Sequence, residues 1–554
     1  MKNVYKYKIN YTLGGSYFYN SDLYLIDDIK RMNPQELSQK LLRNYELNGI
    51  ISVNLRNKLE DSEIKVLVDA LLLLENDFIE SLTLDISPTD VGATFIANLL
   101  NTKKAIKSFY LSGKEITGNG AAALANSLLN NTNIEIFRLT GTIFGDEGAN
   151  AFSRILNTTS IKILDLKKNR IGNLGIISLS NILINNTTII DLDLGINQFD
   201  AADELANVIR VNKTIINLHL YGNYLGNKGV EAIGKALIEN NTLRKLDISM
   251  NNIGSDGAIA LAIGLESNNT LTELSLWNNN IGSDGAIALA KSLESNNTLT
   301  ALYLDENNIG SDGGSAFGKG LESNNTLTTL NLGNNNIGND GAIALAKGLE
   351  SNDTLTELNL WNNNIGNDGA IALAKGLESN NTLTTLHLNE NNIGSDGASA
   401  FGKMLKVNKS IIGLYMDNNQ IGDEGVIGLA NGLKINNTLT TLFLYNNDIG
   451  DTGFSKLAEA LSINNTLTTL RISRNKITEL PVDLALNEGI TQFDYSGNEI
   501  ENIHFLVVQW LEKFEGQQRI YQDSQNVHNH QIQVNTLRSY IKIIKAVEEE
   551  EKKM

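Results

Sequence analysis

Hydrophobic and polar positions recur along this chain with a fixed period, so that Leu243, Leu271, Leu299 and Leu327 open successive copies of one pattern. Between Leu243 and Thr466 the pattern L-x-x-L-x-L-x-x-N-x-I-G-x-x-G-A-x-A-L-A-x-x-L-x-x-N-x-T occurs eight times. Looser copies with slightly variable spacing precede it from Ile50 onward, and two shorter copies follow, which gives 17 units. Such self-similarity predicts an array in which each unit packs mainly against its two neighbours.

Each unit is predicted to contain one strand and one helix. In the unit that starts at Leu271, Leu274 and Leu276 alternate with polar positions, which indicates a strand with one buried face. Farther on, apolar residues recur at i, i+3, i+4 and i+7, which is typical of the buried stripe of a helix: Ala286, Leu289, Ala290 and Leu293. Asn296 and Asn297 are predicted to end the helix and turn the chain back.

The segment between strand and helix carries its own signals. Asn279 has a short amide side chain, which can hydrogen-bond the backbone of a neighbouring turn. Gly282 permits a turn. Ser283 or Asp284 is predicted to cap the helix that follows.

Three units are present as a duplicated block. Residues 243–326 align with residues 327–410 without a gap, and about three-quarters of the positions are identical. The duplication also repeats the predicted outer surface, since Trp277 and Trp361 occupy equivalent positions. Either this surface is repeated because it binds a partner, or the tryptophan was copied together with the scaffold.

The unit resembles the leucine-rich repeat, and in particular the ribonuclease-inhibitor-like type with a full helix in each unit. The asparagine of that motif is present from residue 169 onward, at Asn169, Asn197, Asn223, Asn251, Asn279, Asn307, Asn335, Asn363, Asn391, Asn419, Asn447, Asn475 and Asn498. The first four units depart from it, with Lys58, Ser87, Lys114 and Thr142, and are expected to be less regular or to belong to a cap. The resemblance implies a right-handed α/β solenoid shaped as a horseshoe, with parallel strands on the concave face and helices on the convex face.

The ends are predicted to cover the array, because exposed ends of a solenoid need caps. Residues 1–49 are predicted to form an N-terminal cap, with Asn33 as the N-cap of a helix that runs to about Tyr45. Residues 50–500 form the solenoid. Residues 501–554 are predicted to form a helical cap and an acidic tail, with helices over 503–514 and 534–547 and a polar loop at 515–530.

The net charge of −18 and the absence of cysteine limit the chemistry of this chain. An acidic protein repels phosphate backbones, so we expect no nucleic acid partner; the charge either favours a protein partner with a basic surface or serves solubility alone. No apolar run reaches the roughly 18 residues of a membrane span, and the first residues lack a signal-peptide pattern. We therefore expect a monomer in a cytosol.

No catalytic constellation stands out in the sequence. Three G-x-x-x-x-G-K matches, beginning at Gly229, Gly313 and Gly397, lie inside predicted helices and lack the Ser or Thr that binds magnesium. His528 and His530 have no ligand partners at a known metal-site spacing. We predict a binding protein that is not an enzyme and that needs no cofactor and no metal.

Three related families leave other functions open. The glutamate-rich end, Glu548–Glu551, is similar to the export signals of bacterial type IV secreted effectors, which act in a host cytosol. The Ran GTPase-activating protein has a similar repeat and an acidic tail, which would imply a regulator of a small GTPase. A ubiquitin-ligase adaptor would recruit its ligase through residues 1–49.

In leucine-rich repeat proteins the binding site usually lies on the concave strands. Outward positions there carry aromatic side chains between residues 221 and 445, together with acidic ones, and we expect water to reach them. Aromatic side chains on a rigid surface are typical of interface hot spots, and acidic ones would steer a basic partner. The predicted partner-binding residues are Tyr221, Trp277, Tyr303, Asp305, Trp361, His387, Tyr415, Asp417, Phe443 and Tyr445.

Overall fold

A computed structural model describes residues 29–48, 51–55, 58–74 and 79–511 of the chain. The contacts within the chain define two compact units, residues 1–193 and residues 194–554. The predicted loop at 515–530, the predicted helix at 534–547, the two histidines His528 and His530 and the acidic end all lie outside the described residues. The domain boundaries at 49/50 and 500/501 stay predictions.

Unit 1 contains a parallel sheet in which each strand pairs with the next strand along the chain. Its strands are β1 (Ile51–Leu55), β2 (Ile79–Asp85), β3 (Ser108–Ser112), β4 (Ile136–Thr140), β5 (Ile163–Asp165) and β6 (Asp191–Asp193). Its helices are α1 (Pro34–Asn48), α2 (Asp61–Leu73), α3 (Asp90–Thr102), α4 (Gly118–Asn130), α5 (Gly145–Ser153) and α6 (Asn173–Leu183), with a 3-10 turn at Leu156–Thr158.

Unit 2 repeats the same strand–helix arrangement. Its strands are β7 (Asn217–His219), β8 (Lys245–Asp247), β9 (Glu273–Ser275), β10 (Ala301–Tyr303), β11 (Thr329–Asn331), β12 (Glu357–Asn359), β13 (Thr385–His387), β14 (Gly413–Tyr415), β15 (Thr441–Phe443), β16 (Thr469–Arg471), β17 (Glu479–Leu480), β18 (Gln492–Asp494) and β19 (Asn502–Ile503). Strands β7 to β16 each pair in parallel with the next, β16 pairs with β18, and β17 pairs with β19.

The helices of unit 2 alternate with these strands. They are α7 (Ala202–Val211), α8 (Gly226–Glu239), α9 (Ser255–Ser267), α10 (Gly282–Ser292), α11 (Gly310–Ser323), α12 (Gly338–Ser351), α13 (Asn367–Leu377), α14 (Gly394–Leu405), α15 (Gly422–Leu433), α16 (Asp451–Leu461) and α17 (Phe505–Leu511), with a 3-10 helix at Val482–Leu486. Every unit counted in the sequence therefore contains a strand, and the predicted α/β repeat class is confirmed.

The core lies between the strands and the helices. Leu274 and Leu276 of the strand segment are fully buried, and so is the predicted stripe of α10: Ala286, Leu289, Ala290 and Leu293. Ser275, between the two leucines, is half-buried. The strand periodicity therefore identified the buried face correctly.

From β5 onward, the asparagine that follows each strand of the repeats ties neighbouring coils of the array together. The side-chain amide of Asn279 donates to the carbonyl oxygen of Leu276 at 2.9 Å and to that of Ile248 in the preceding repeat at 3.2 Å. Its side-chain oxygen accepts the backbone N–H groups of Asn251 at 2.9 Å and Ile253 at 3.1 Å, also in the preceding repeat. These bonds satisfy backbone groups that have no partner within their own turn.

A second asparagine column follows α4 and the helices from α6 to α16. The amide of Asn296 donates to the carbonyl oxygens of Leu265 at 2.7 Å and Asn268 at 3.1 Å, and its oxygen accepts the N–H groups of Thr298 at 3.1 Å and Leu299 at 2.8 Å. The same amide bond to the end of the preceding helix recurs at Asn131, Asn240, Asn268, Asn324, Asn352, Asn380, Asn408, Asn436, Asn464 and Asn487. The sequence predicted only a turn here.

The helix-cap prediction was wrong at Ser283. Helix α10 begins at Gly282, whose φ of 64° lies in the left-handed region that glycine tolerates, and no side chain caps its first turn. The hydroxyl of Ser283 instead donates to the carbonyl oxygen of Ile309 in the next repeat at 2.8 Å. The serine therefore links two repeats.

The two ends agree in part with the predicted caps. Asn33 accepts the backbone N–H of Glu36 at 3.0 Å, and Glu36 accepts that of Asn33 at 3.2 Å, which is a capping box at the start of α1. At the other end, the described part of the predicted helix 503–514 is shorter, since Asn502–Ile503 forms β19 and α17 spans Phe505–Leu511. Residues 512–514 lie outside the described part of the chain.

Candidate functional site

The ten predicted binding residues all belong to unit 2. They lie on the strand face, which we define as the outward side chains of β7 to β16 and of the two residues that follow each strand. Tyr303, His387, Tyr415 and Phe443 end their strands. The other six lie two residues beyond a strand end: Tyr221, Trp277, Asp305, Trp361, Asp417 and Tyr445.

Exposure of these side chains is lower than we predicted. Trp277 is 37% exposed, whereas Asp417 is buried, with 7% of its surface accessible. The other eight are half-buried. The strand face is therefore a packed surface of side chains that contact one another across neighbouring strands.

Four ring side chains and one arginine form a continuous cluster across β13 to β16, named the aromatic cluster here: His387, Tyr415, Phe443, Tyr445 and Arg471. His387 and Tyr415 stack with ring centroids 4.3 Å apart, and Phe443 meets Tyr415 edge-on at 4.8 Å. The guanidinium of Arg471 lies 4.4 Å from the ring centroid of Tyr445 and 5.9 Å from that of Phe443. Such contacts hold each ring in a fixed orientation.

Sequence reasoning left Arg471 out of the binding set. It occupies the middle outward position of β16, the same position as Phe443 on β15, with which it pairs in register. Arginine is neither aromatic nor acidic, so it did not belong to the two kinds of outward residue from which the binding set was predicted. Its place in the strand frame could have identified it.

Asp417 corrects the expectation of an accessible acidic residue. Its carboxylate accepts the backbone N–H of Tyr445 at 2.8 Å and lies 3.4 Å from the guanidinium of Arg471. Burial raises the pKa of Asp417 to about 6, and nearby Asp494 and Glu390 add to the rise, while the Tyr445 N–H and Arg471 oppose it. Asp417 therefore positions Arg471 and is not available to steer a partner.

The charges around the rest of the strand face are unevenly distributed. Burial raises the pKa of Tyr303, and the carboxylates of Glu273, Glu357 and Asp305 raise it further. Burial also raises the pKa of Asp305 to about 6, and its carboxylate accepts the amide of Asn331 at 2.7 Å. Carboxyl groups therefore predominate in the region around β9 to β12.

His387 stands between this region and the aromatic cluster. Its Nε2 lies 3.9 Å from a carboxylate oxygen of Glu357, and burial lowers the pKa of the imidazole. Burial raises the pKa of Tyr415, and Glu357 adds to the rise. The stacked ring of Tyr415 thus orients the imidazole of His387 without requiring that it be protonated.

The two copied tryptophans differ in their surroundings. Trp361 packs over Gly333, where a Cβ atom would overlap its indole. At the position equivalent to Gly333, the first copy carries Ser249, whose hydroxyl lies 2.7 Å from that of Ser275. The two copies therefore differ in the residue beside the tryptophan, which is glycine in the second copy and serine in the first.

The described residues contain no group of three or more His, Cys, Asp or Glu side chains placed to hold a metal ion. Among the described helices, none is both long and apolar enough to cross a bilayer. What the strand face presents is a set of fixed aromatic, cationic and carboxylate groups, which suits the recognition of another macromolecule's surface.

Comparison with known proteins identifies the repeat. A leucine-rich repeat family model matches residues 158–180, 239–262, 267–290, 295–318, 323–346, 351–374, 379–402, 407–430, 436–458 and 464–479. None of the curated proteins compared with this chain matches it.

Among solved structures, an internalin from Listeria monocytogenes is 19% identical, with a TM-score of 0.44, and covers 68% of this chain and 88% of its own. The plant peptide hormone receptor RGFR1 in complex with RGF2 is 14% identical, with a TM-score of 0.31, covering 83% and 80%. Actin-binding site 2 of leiomodin-1 is 30% identical over 19% of this chain and 62% of its own, with a TM-score of 0.19.

One matched segment, 158–180, lies in unit 1, and nine lie in unit 2 between residues 239 and 479. All but the last of these segments span the strand, the buried asparagine and the first part of the helix of one repeat. The chain is therefore a leucine-rich repeat protein.

Proposed function

We propose that this protein binds another protein through the strand face of unit 2 and catalyses no reaction there. The observation that supports this most directly is the aromatic cluster. Its rings lie outside the leucine core, yet they are held in place by contacts with one another. Rigid aromatic and arginine side chains lose little conformational freedom on binding, which is why such residues dominate interface energetics.

The partner we propose carries a basic surface. The carboxylates around Tyr303 favour cationic groups, and the chain as a whole has a net charge of −18. Charge complementarity of this kind speeds encounter and excludes acidic competitors. We further propose that the protein acts as a monomer in a cytosol, either that of its own cell or that of a host to which it is exported.

A pair of single substitutions tests the site. Tyr415→Ala removes the ring that joins His387 to Phe443. Tyr224→Ala is the matched control, because Tyr224 is 59% exposed and lies in the segment that leads to α8. Tagged wild-type protein and both variants would be used to capture proteins from a eukaryotic lysate.

We expect one protein to be retained by the wild type and by Tyr224→Ala, and to be lost with Tyr415→Ala. Purified partner should then bind the Tyr415→Ala variant at least roughly thirtyfold more weakly, since a hot-spot aromatic contributes about 2 kcal/mol or more. Equal capture by all three proteins, or capture by none, would refute the proposed site.

A further inference from the structure

A second feature of the strand face lies across β7 to β10, away from the aromatic cluster. It is a cavity of about 260 Å³ whose polar lining comes from His219, Lys245, Asp247, Glu273, Ser275 and Tyr303. Only Tyr303 was among the predicted binding residues. The lining residues come from four neighbouring strands that pair in register, so a rigid sheet fixes their positions.

The size of the cavity limits what it can hold. Sites for small molecules and cofactors usually enclose roughly 300–1,000 Å³. A cavity of about 260 Å³ that opens on a protein-binding face is suited to one long side chain of a partner. Its aromatic lining residue, Tyr303, offers a ring against which such a side chain can lie.

The charged residues that line the cavity favour a positively charged group as its ligand. Lys245 pairs with Glu273, with 2.6 Å between the ammonium nitrogen and the carboxylate oxygen. Asp247 uses one oxygen to accept the backbone N–H of Ser249 at 3.0 Å, and it forms no ion pair with any residue in the described ranges. The cavity thus retains one uncompensated carboxylate. The carboxylates of Asp305, two residues beyond Tyr303, and of Glu357, on β12, also act on Tyr303 and raise its pKa.

We propose that this cavity binds an arginine side chain of the protein partner, an inference that rests on the proposed function of the strand face. The guanidinium group would donate hydrogen bonds to Asp247 and lie against the ring of Tyr303. Arginine fits better than lysine, because its planar group both stacks on aromatic rings and donates two parallel hydrogen bonds to a carboxylate. This contact would make binding depend on an arginine at one position of the partner.

The duplicated block provides an internal comparison. In the second copy, the residues equivalent to Lys245 and Asp247 are Thr329 and Asn331, and the residue equivalent to Tyr303 is His387. The uncompensated carboxylate is therefore particular to the first copy. It also follows that Asp247→Asn introduces a side chain that the same strand position already accommodates in the second copy.

The test uses the full chain and three small probes: N-acetyl-argininamide, N-acetyl-lysinamide and N-acetyl-citrullinamide, the last a neutral analogue of the first. Binding to the wild type, to Asp247→Asn and to Glu294→Gln would be titrated by saturation-transfer NMR. Glu294→Gln removes the same charge from an exposed residue in the turn after α10. Circular dichroism would confirm that each variant is folded.

We expect the argininamide to bind the wild type and Glu294→Gln equally, and Asp247→Asn roughly threefold to tenfold more weakly. The citrullinamide should bind the wild type no more tightly than the argininamide binds Asp247→Asn. The affinity of the lysinamide for the wild type should fall between those of the argininamide and the citrullinamide. Equal binding of arginine and citrulline probes, or no effect of Asp247→Asn, would overturn the inference. So would an absence of argininamide binding.

The protein-capture experiment separates this inference from the proposed function. If Tyr415→Ala loses the partner while Asp247→Asn keeps its full affinity, the strand face binds a protein and the arginine site is wrong. If the probes bind as expected but no partner depends on Tyr415, the cavity recognises arginine and the proposed role of the aromatic cluster is wrong.

Discussion

The indole of Trp361 lies over Gly333, and a side chain at residue 333 would occupy the space that the indole fills. The equivalent tryptophan of the first copy, Trp277, has Ser249 at the corresponding place and is exposed. Glycine in the neighbouring repeat therefore leaves room for the indole of Trp361, whereas the first copy has a serine at that place. Differences of this kind allow nearly identical repeats to present different surfaces.

Gly333→Ser should give Trp361 of the second copy the same neighbour that Trp277 has in the first. The serine would displace the indole of Trp361 toward solvent, because the two cannot share the space over residue 333. We expect the tryptophan emission of the variant to shift to longer wavelength and iodide quenching to increase. A Trp277→Phe background simplifies the reading, and Ser249→Gly should produce the opposite shift in a Trp361→Phe background. Unchanged spectra in both would contradict this account.

Asn296→Ala should destabilise its repeat, whereas Asn297→Ala should have little effect. Asn296 is buried and satisfies two carbonyl oxygens and two N–H groups. Each buried group left without a partner costs about 1–3 kcal/mol. The neighbouring Asn297 is exposed and donates one bond, to Ser295. Hydrogen exchange at the amides of Thr298 and Leu299 would report the local loss, with urea unfolding as the global measure.

Lys103 fulfils in unit 1 the role that asparagine has in later repeats. Its side chain is almost completely buried, and its ammonium group donates to the carbonyl oxygens of Leu72, at 3.1 Å, and Leu74, at the end of α2. Asn131, at the equivalent position of the next repeat, makes the corresponding bond to Leu100.

Lys103→Asn should therefore remain more stable than Lys103→Ala. The amide can still reach the helix end, whereas alanine leaves the carbonyl oxygens of Leu72 and Leu74 without a donor and costs on the order of 1–3 kcal/mol for each. Chemical denaturation of the two variants beside the wild type gives the comparison. Equal stability of the two variants would show that an asparagine at residue 103 does not replace these bonds, and wild-type stability of Lys103→Ala would show that the bonds contribute nothing.

The burial of Asp417 predicts a pH dependence of stability. Its pKa is raised from 3.8 to about 6 in the folded protein, so the folded state binds more protons than the unfolded state between those pH values. The free energy of unfolding should therefore fall as pH rises from about 4 to 6, by an amount on the order of 1–3 kcal/mol from this residue. Asp417→Asn should remove that part of the dependence.

Urea unfolding at pH 4, 5, 6 and 7 provides the measurement. Asp305 also has a pKa raised to about 6, so the free energy of unfolding of Asp417→Asn should still fall somewhat as pH rises. Asp256→Asn, at an exposed position in the first turn of α9, serves as the control and should reproduce the wild-type slope. A wild-type slope in Asp417→Asn would mean that the buried carboxyl group does not titrate in this range.

Periodicity in the sequence was sufficient to predict the core. Leu274, Leu276 and the stripe of α10 are buried as the spacing of apolar residues indicated, because alternation and helical spacing each fix one face of an element. The second asparagine column was missed for a physical reason. An Asn-Asn pair after a helix is a common turn signal, and the sequence does not show that the first amide reaches back to Leu265 at the end of the preceding helix.

The site was less predictable than the core. The outward phase of Tyr415 and Trp361 followed from strand alternation, but the degree of burial depends on the residues of neighbouring strands, such as Gly333. Asp417 is buried because Arg471, two repeats further along the chain, folds across it and Tyr445 supplies a backbone N–H. The cavity at Asp247 is lined by side chains of four strands, and the periodicity of each strand does not show how much space lies between these side chains.

The two asparagine columns have a consequence for how this chain can change in length. In the regular repeats the bond to the preceding helix joins residues 31 positions apart, so a single residue inserted between Leu265 and Asn296 would have to be absorbed in a loop, as the last coil absorbs the 26-position spacing of Asn487 and Leu461. Insertion of a whole block of three repeats, by contrast, gives every new asparagine the same partners at the same distance in sequence. Unequal recombination between repeats is thus a genetic route that the scaffold tolerates, while point substitutions on the strand face diversify what each inherited copy recognises.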